Sequence, residues 1–216
     1  MLEKMDAFFE ARLDGYDKHM LNDIESSQEF YPFTAQQLPQ EPHAQILDLG
    51  CGTGLELEYY LPANPSAHIT GIDLSAGMLS ALKKKFNQKH LTLIQGSYFD
   101  VPLGSAAYDA AVSVESLHHF TQAEKIPLYQ KLHHALKEDG FFILTDYFAA
   151  SEQDEHLFRQ ELIRLEQESG LDDQAFYHYD TPLTVANETE ALLRAGFSRV
   201  EHLGCWGDTH TLKAIK

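Results

Sequence analysis

Cysteine is scarce in this 216-residue chain. Cys51 and Cys205 stand too far apart, and too alone, to suggest a disulfide framework or a zinc site. Basic residues are few: 16 Lys and Arg face 33 Asp and Glu, a formal net charge of −17. A field of that sign repels phosphate backbones and argues against nucleic acid as a partner. The basic run Lys83-Lys84-Lys85 reads as the solvated end of a helix. Long apolar runs are absent as well, and nothing approaches the roughly 18 residues that cross a bilayer. The opening Met1-Leu-Glu-Lys-Met-Asp6 is too polar for a secretory signal. Internal repeats and low-complexity tracts are missing. What is left by exclusion is a cytoplasmic globular protein with no membrane role. At 44% hydrophobic residues and this length, it is expected to be a single domain over 1–216.

What is present is an alternation of short apolar runs and helical patterns, the signature of an α/β fold with a mostly parallel sheet. Strands are predicted at 45–50, 68–73, 91–95, 108–114 and 140–146, with two more near 199–203 and 209–215. Met78, Leu82 and Phe86 recur at helical spacing after Ser75. Thr121-Gln-Ala-Glu124 has the form of a capping box, and Pro127 is expected to kink or restart the helix it opens. A further helix is predicted over 155–169, and a last one from about Thr184 to a C-cap at Gly196. The segment between the final two strands, 204–208, is short enough for a hairpin, which makes an antiparallel pair. Residues 1–42 precede the first strand and residues 148–183 form a long insertion; both are expected to act as lids, the second over an acceptor pocket. Ligands of such sheets bind outside the carboxyl ends of the strands.

The first strand runs directly into Asp48-Leu-Gly-Cys-Gly-Thr-Gly54. Glycines at alternate positions permit a tight turn and a close approach of backbone to a ligand. The dinucleotide pattern G-x-G-x-x-G requires glycine where Leu55 stands, and the G-K-[ST] of a P-loop is absent. Asp73 ends the second strand about twenty residues on, where a carboxylate can accept from ribose hydroxyls. Turn and acid together point to a nucleoside-containing cofactor with no required pyrophosphate.

These residues resemble a known family. Ile46-Leu-Asp-Leu-Gly-Cys-Gly-Thr-Gly54 is similar to the first motif of class I S-adenosylmethionine-dependent methyltransferases. Gly71-Ile-Asp-Leu-Ser75 with Met78-Leu79 resembles the second motif, and Tyr108 to Phe120 the fourth-strand motif. Leu136-Lys-Glu-Asp-Gly140 and Leu193-Arg-Ala-Gly-Phe197 resemble the approaches to the fifth and sixth strands. The resemblance implies a Rossmann-like seven-stranded sheet of order 3-2-1-4-5-7-6, strand 7 antiparallel, with helices on both faces. It implies S-adenosyl-L-methionine as cofactor and transfer of its methyl group to a small-molecule acceptor. Gly50, Gly52 and Gly54, with Cys51 between them, would border the methionine part, and Asp48 would support the loop and the cofactor's amino group. Asp73 would hold the ribose, and Leu74 and Met78 would flank the adenine. Ser97 stands where many relatives carry an acid toward the adenine amino group, with Tyr98 beside it. Val114 and Glu115 would border the methionine moiety. Tyr16, with Asp17, resembles residues that fold over the cofactor, as does Tyr31.

For the acceptor side the candidates are His118 and His119 as catalytic groups, and Tyr31, Tyr147, Tyr177, Tyr179 and Trp206 as pocket residues. Histidine titrates near 6.5, so one of the pair has the chemistry of a base. His133 and His134 are adjacent on a predicted helix and point apart, a poor metal pair, so no metal is expected. A non-catalytic protein that senses or scaffolds through S-adenosylmethionine is the competing reading. A nicotinamide dehydrogenase is disfavoured by Leu55.

Overall fold

The computed structural model describes residues 2–87, 90–169 and 175–216. Seven strands form one sheet: β1 (Gln45–Leu49), β2 (His68–Asp73), β3 (Leu91–Gln95), β4 (Tyr108–Val114), β5 (Leu136–Tyr147), β6 (Arg199–Trp206) and β7 (Thr209–Ile215). Their order is β3-β2-β1-β4-β5-β7-β6. The pairs from β3 to β5 are parallel, and β7 runs antiparallel to both β5 and β6. The expected Rossmann-like order and its reversed strand are both found.

The side-chain period of two sorts the strands' apolar residues into two layers. Leu47, Leu49, Ala111, Phe142 and Leu144 pack in one core cluster, and Ile46, Ala110, Val112 and Ile143 in the other. The first layer is closed by α6 (Gln122–Ala135) and α8 (Val185–Arg194), which supply Leu128, Leu132, Ala191 and Leu192. The second is closed by α3 (Ser27–Gln37), α4 (Leu57–Ala63) and α5 (Ala76–Lys85), which supply Phe30, Tyr60, Leu79 and Leu82. Ahead of them lie α1 (Met5–Arg12) and α2 (Tyr16–Asn22), and α7 (Glu152–Ser169) occupies the insertion. Part of that insertion, 170–174, lies outside the described residues.

Several boundaries differ from the sequence reading, each for a local reason. β5 begins at Leu136, four residues before Gly140, because Leu136 pairs with Tyr108 across a bulge. β6 continues to Trp206, so the hairpin turn is the pair Gly207-Asp208, with Gly207 at φ +60°. α6 runs unbroken through Pro127. The missing N–H costs a bond near the helix start only, where both halves of the Thr121–Glu124 capping box already fix the first turn. Lys83 and Lys84 are exposed, but Lys85 is held at 2.8 Å by Asp17 and 2.6 Å by Glu58, so the basic run is not wholly solvated.

Candidate active site

Crossovers leave β1 and β4 in opposite directions, which opens a crevice at their carboxyl ends. The glycine turn enters it from β1. Gly50, Gly52 and Gly54 all have positive φ, at 71°, 47° and 73°. Gly50 is further required by space, since a Cβ there would fall 2.0 Å from Ser116 Oγ. Gly54 faces the helices, against Phe86, Leu57 and Leu82. In front of Gly52 the nearest atoms a Cβ would meet belong to Tyr16, 3.8 Å away. The turn therefore presents its bare backbone to Tyr16 at van der Waals distance.

Asp73 fastens this turn to the second strand. Its Oδ2 accepts from Gly52 N and its Oδ1 from Ser75 N, both at 2.8 Å. Beneath the turn, Asp48 and a residue that the sequence reading missed, Glu56, are both buried. Asp48 Oδ2 and Glu56 Oε1 have no hydrogen-bond partner among the described residues. Burial pushes both carboxyls up, Asp48 further through the neighbouring Glu56. The two carboxyls therefore favour sharing a proton under the glycine turn.

A small cavity of about 50 Å³ brings together Gly50, Gly52, Asp73, Leu74, Met78, Tyr98, Glu115 and Tyr16, with Met5 and Phe9 from α1. Five residues expected to touch a cofactor do not line it, Gly54 among them, since it faces the helices. Cys51 is buried against Gly71, and Val114 packs in the core. Asp48 lies below the turn. Ser97 is buried with its hydroxyl occupied by Phe99 N, so it serves the local turn.

A larger cavity of about 820 Å³ adjoins it, and Phe9, Tyr16, Glu115 and His119 line both. His118, Tyr147 and Trp206 line the larger one. Tyr31, Tyr177 and Tyr179 do not. Tyr31 is buried in the core beside Phe30. Around Tyr177 the chain is extended, in an antiparallel bridge with Lys4, so alternate side chains face opposite ways. His178 and Asp180 face the cavity instead. This is why reading aromatic character along 177–181 selected the wrong parity.

The turn after β4 carries the titratable groups. Glu115 sits at φ +49°, a conformation that costs a non-glycine residue energy and clusters at functional sites. Burial first, then the Asp146 charge, raises its carboxyl to about 7. Asp146, at the end of β5, accepts from Leu117 N at 2.8 Å through Oδ2 and meets His118 Nδ1 at 2.5 Å through Oδ1. Burial opposes a charge on His118, but Asp146 and the acids around it outweigh this and lift it to about 9. His119 moves the other way, to about 4, through burial and the His118 charge. Asp180 Oδ1 lies 3.6 Å from His118 Nε2 and 3.0 Å from His119 Nδ1. Donor atoms of His118, His119 and Asp180 lie within 4.8 Å of one another, as do those of Glu115, His118 and Asp146. That is a metal-like spacing at a place unrelated to His133 and His134.

The N-terminal segment lines both cavities and the insertion lines the larger one. Met5 N donates to Phe176 O at 2.9 Å and His178 N to Glu3 O at 3.0 Å, a clasp between the N-terminal segment and the insertion. Phe8 stacks on His178 with ring centroids 3.5 Å apart. On the other side, Glu10 accepts from Ser75 Oγ at 2.8 Å and Gly77 N at 3.0 Å, at the start of α5. Thr53 Oγ1 donates to Asp17 at 2.5 Å.

Comparison with known proteins agrees with this geometry. Residues 46–140 match the methyltransferase-domain family. An uncharacterized methyltransferase of Synechocystis is 29% identical over 57% of this chain and 56% of its own length. The chain's matches take in between 24% and 56% of the length of the first such relatives. An S-adenosylmethionine-dependent methyltransferase of Mesorhizobium loti superposes with a TM-score of 0.61 at 20% identity, over 86% of this chain and 96% of that one. Human N-acetylserotonin methyltransferase in complex with S-adenosylmethionine does so at 0.64 and 18%, over 97% and 55%. At those identities the structural likeness carries the fold.

Proposed function

We propose, on the premise that this chain belongs to the class I S-adenosylmethionine-dependent methyltransferase family, that it methylates a small molecule held in the larger cavity. The observation that carries this is the meeting of two cavities at Glu115: one beside the glycine turn, the other wide enough for a drug-sized acceptor. The residues fit the cofactor. Gly52 carries no side chain on the face toward Tyr16, and Asp48 and Glu56 place carboxyl groups beneath the turn. When bound, S-adenosylmethionine supplies a methyl group activated by a sulfonium. Gly50, Gly52, Asp73, Leu74 and Met78 would hold it, with Tyr16 and Phe9 closing over it.

Positioning of the acceptor and exclusion of water are then the protein's main contributions, worth up to roughly 7–11 kcal/mol in favourable cases. Where the acceptor must shed a proton, Glu115 takes it. Its carboxyl lies at the junction and titrates near 7, the value that suits a base at neutral pH. His118 is an imidazolium at that pH and serves as a fixed positive charge, locked by Asp146. His119 is neutral and too weak a base for the role.

Calorimetric titration with S-adenosylmethionine, S-adenosylhomocysteine and NAD tests the reading. Binding of the first two without NAD is the expected result. Binding of NAD alone overturns it. Binding of the first two without turnover of any acceptor in a product screen would favour a non-catalytic sensor.

A further inference from the structure

The terminal hairpin carries side chains of the types that hold transition metals. His202 and Cys205 lie on β6 and His210 on β7, and none of them lines either cavity. In an unbroken strand, residues three apart point to opposite faces of the sheet. His202 and Cys205 do not. Cys205 pairs with His210 and His202 with Leu212, and the register slips between His202 and Gly204, with Leu203 as the extra residue. The parity of β6 therefore reverses at Leu203. Val200 packs with the same core cluster as Leu212, while Leu203 and Trp206 pack with the other. The bulge sets His202, Cys205 and His210 on one face. Bulges re-aim side chains and are over-represented beside functional sites.

The two rings meet through their nitrogens, His202 Nε2 lying 3.0 Å from His210 Nδ1. Two imidazole nitrogens bonded to one ion stand about 2.9 Å apart at a right angle and about 3.4 Å apart at the tetrahedral angle. The observed spacing is nearer the first, the geometry of copper(II) and nickel(II). The other nitrogen of His210 is provided for as well. Its Nε2 faces Cys205 Sγ at 3.9 Å, a sulfur that can accept its N–H. Metal-ligating histidines usually have such an acceptor on the far ring nitrogen, which fixes the tautomer. Phe148 meets the His210 ring edge-on, with centroids 5.4 Å apart. His202 is exposed and His210 half-buried, so an ion can reach both from solvent and fill its other positions with water.

We infer that His202 Nε2 and His210 Nδ1 form a two-imidazole clamp for a divalent late transition-metal ion, with Cys205 supporting the His210 ring. A hydrogen bond between the rings accounts for their spacing without an ion, and a metal titration separates the two. The clamp stands apart from the glycine turn and from His118, His119 and Asp180, so it does not depend on the cofactor.

The whole untagged chain, stripped with a chelator, is titrated with nickel(II) by calorimetry, with magnesium as control. One nickel ion is expected to bind, and magnesium to give no heat. His202→Gln and His210→Gln should each weaken binding roughly tenfold or more, because a single imidazole cannot chelate. Cys205→Ala should weaken it less. Unchanged thermal unfolding of the metal-free variants reports an intact hairpin. In heteronuclear NMR spectra of the parent, paramagnetic nickel should broaden the amides of His202 and His210 before others. Nickel binding that survives either histidine change, broadening centred on His118 and His119 instead, or no binding at millimolar nickel overturns the inference.

Discussion

Replacing Glu115 by Gln keeps the size of the side chain and removes its proton affinity. The variant is expected to lose about 10²–10⁴-fold in kcat. In the parent, kcat/KM should rise with pH through about 7, and that limb should vanish in the variant; a pH–rate series on both proteins reads this. His118 and Asp146 make a second, independent prediction, on stability. The folded pKa of His118, about 9, lies above its unfolded value near 6.5, so its contribution is full below about 6.5 and is lost as pH rises through about 9. Asp146, held below the usual carboxylate range, contributes at neutral pH and loses that contribution in acid. Asp146→Asn should cost about 3 kcal/mol at neutral pH and flatten the alkaline fall, as urea unfolding between pH 6 and 10 would show. At this scale the sequence was a partial guide. Glycines and Asp73 announce themselves by spacing along one strand-turn-strand unit. Glu56, Asp146 and Asp180 do not, because each gains its role from a neighbour on another element. His118 and His119 were legible as a pair, but the opposite directions of their titration come from Asp146 and from burial, which no local pattern encodes.

Among elements, the joint between α6 and α8 rests on Lys125 Nζ, buried and 2.6 Å from Glu188, with Tyr129 donating to the other Glu188 oxygen. Lys125→Met strands the Glu188 charge in the core and should cost about 3–5 kcal/mol. The double variant Lys125→Met/Glu188→Leu should recover much of that loss in thermal unfolding. α1 is tied to the start of α5 by polar contacts of Glu10. Glu10→Ala releases it from the start of α5, and should speed both association and dissociation of S-adenosylhomocysteine about threefold to tenfold in stopped-flow measurements. Strand and helix positions were legible from periodicity, and the Thr121–Glu124 box marked the start of α6 correctly. The start of β5 and the end of β6 were not, since both depend on pairing with a partner strand: Leu136 with Tyr108, and Trp206 with Thr209. The clasp between the N-terminal segment and the insertion pairs residues more than 170 positions apart, beyond any local signal.

Over the whole molecule, the charge of −17 sets a field that acts at a distance. S-adenosylmethionine carries a net positive charge and S-adenosylhomocysteine does not. The association rate of the first should therefore fall with added salt much more steeply than that of the second, measurable by stopped-flow fluorescence between 20 and about 300 mM salt. The sheet order was anticipated only through the family resemblance, while the terminal hairpin independently implied one reversed strand. Its physical counterpart is the two-layer packing, in which Ile46 and Leu47, neighbours in sequence, belong to opposite cores. No helix among the described residues is long and apolar enough to cross a membrane.

The arrangement of the two cavities carries one more consequence, for kinetics. Phe9 and Tyr16 wall both spaces, and Met5 closes the smaller. Opening the N-terminal segment to admit a cofactor would take away part of the larger cavity's wall. Cofactor is therefore expected to bind first and its product to leave last, a compulsory order. Initial-rate studies should show S-adenosylhomocysteine competing with S-adenosylmethionine but not with the acceptor, and an acceptor analogue that fails to bind until the cofactor is in place.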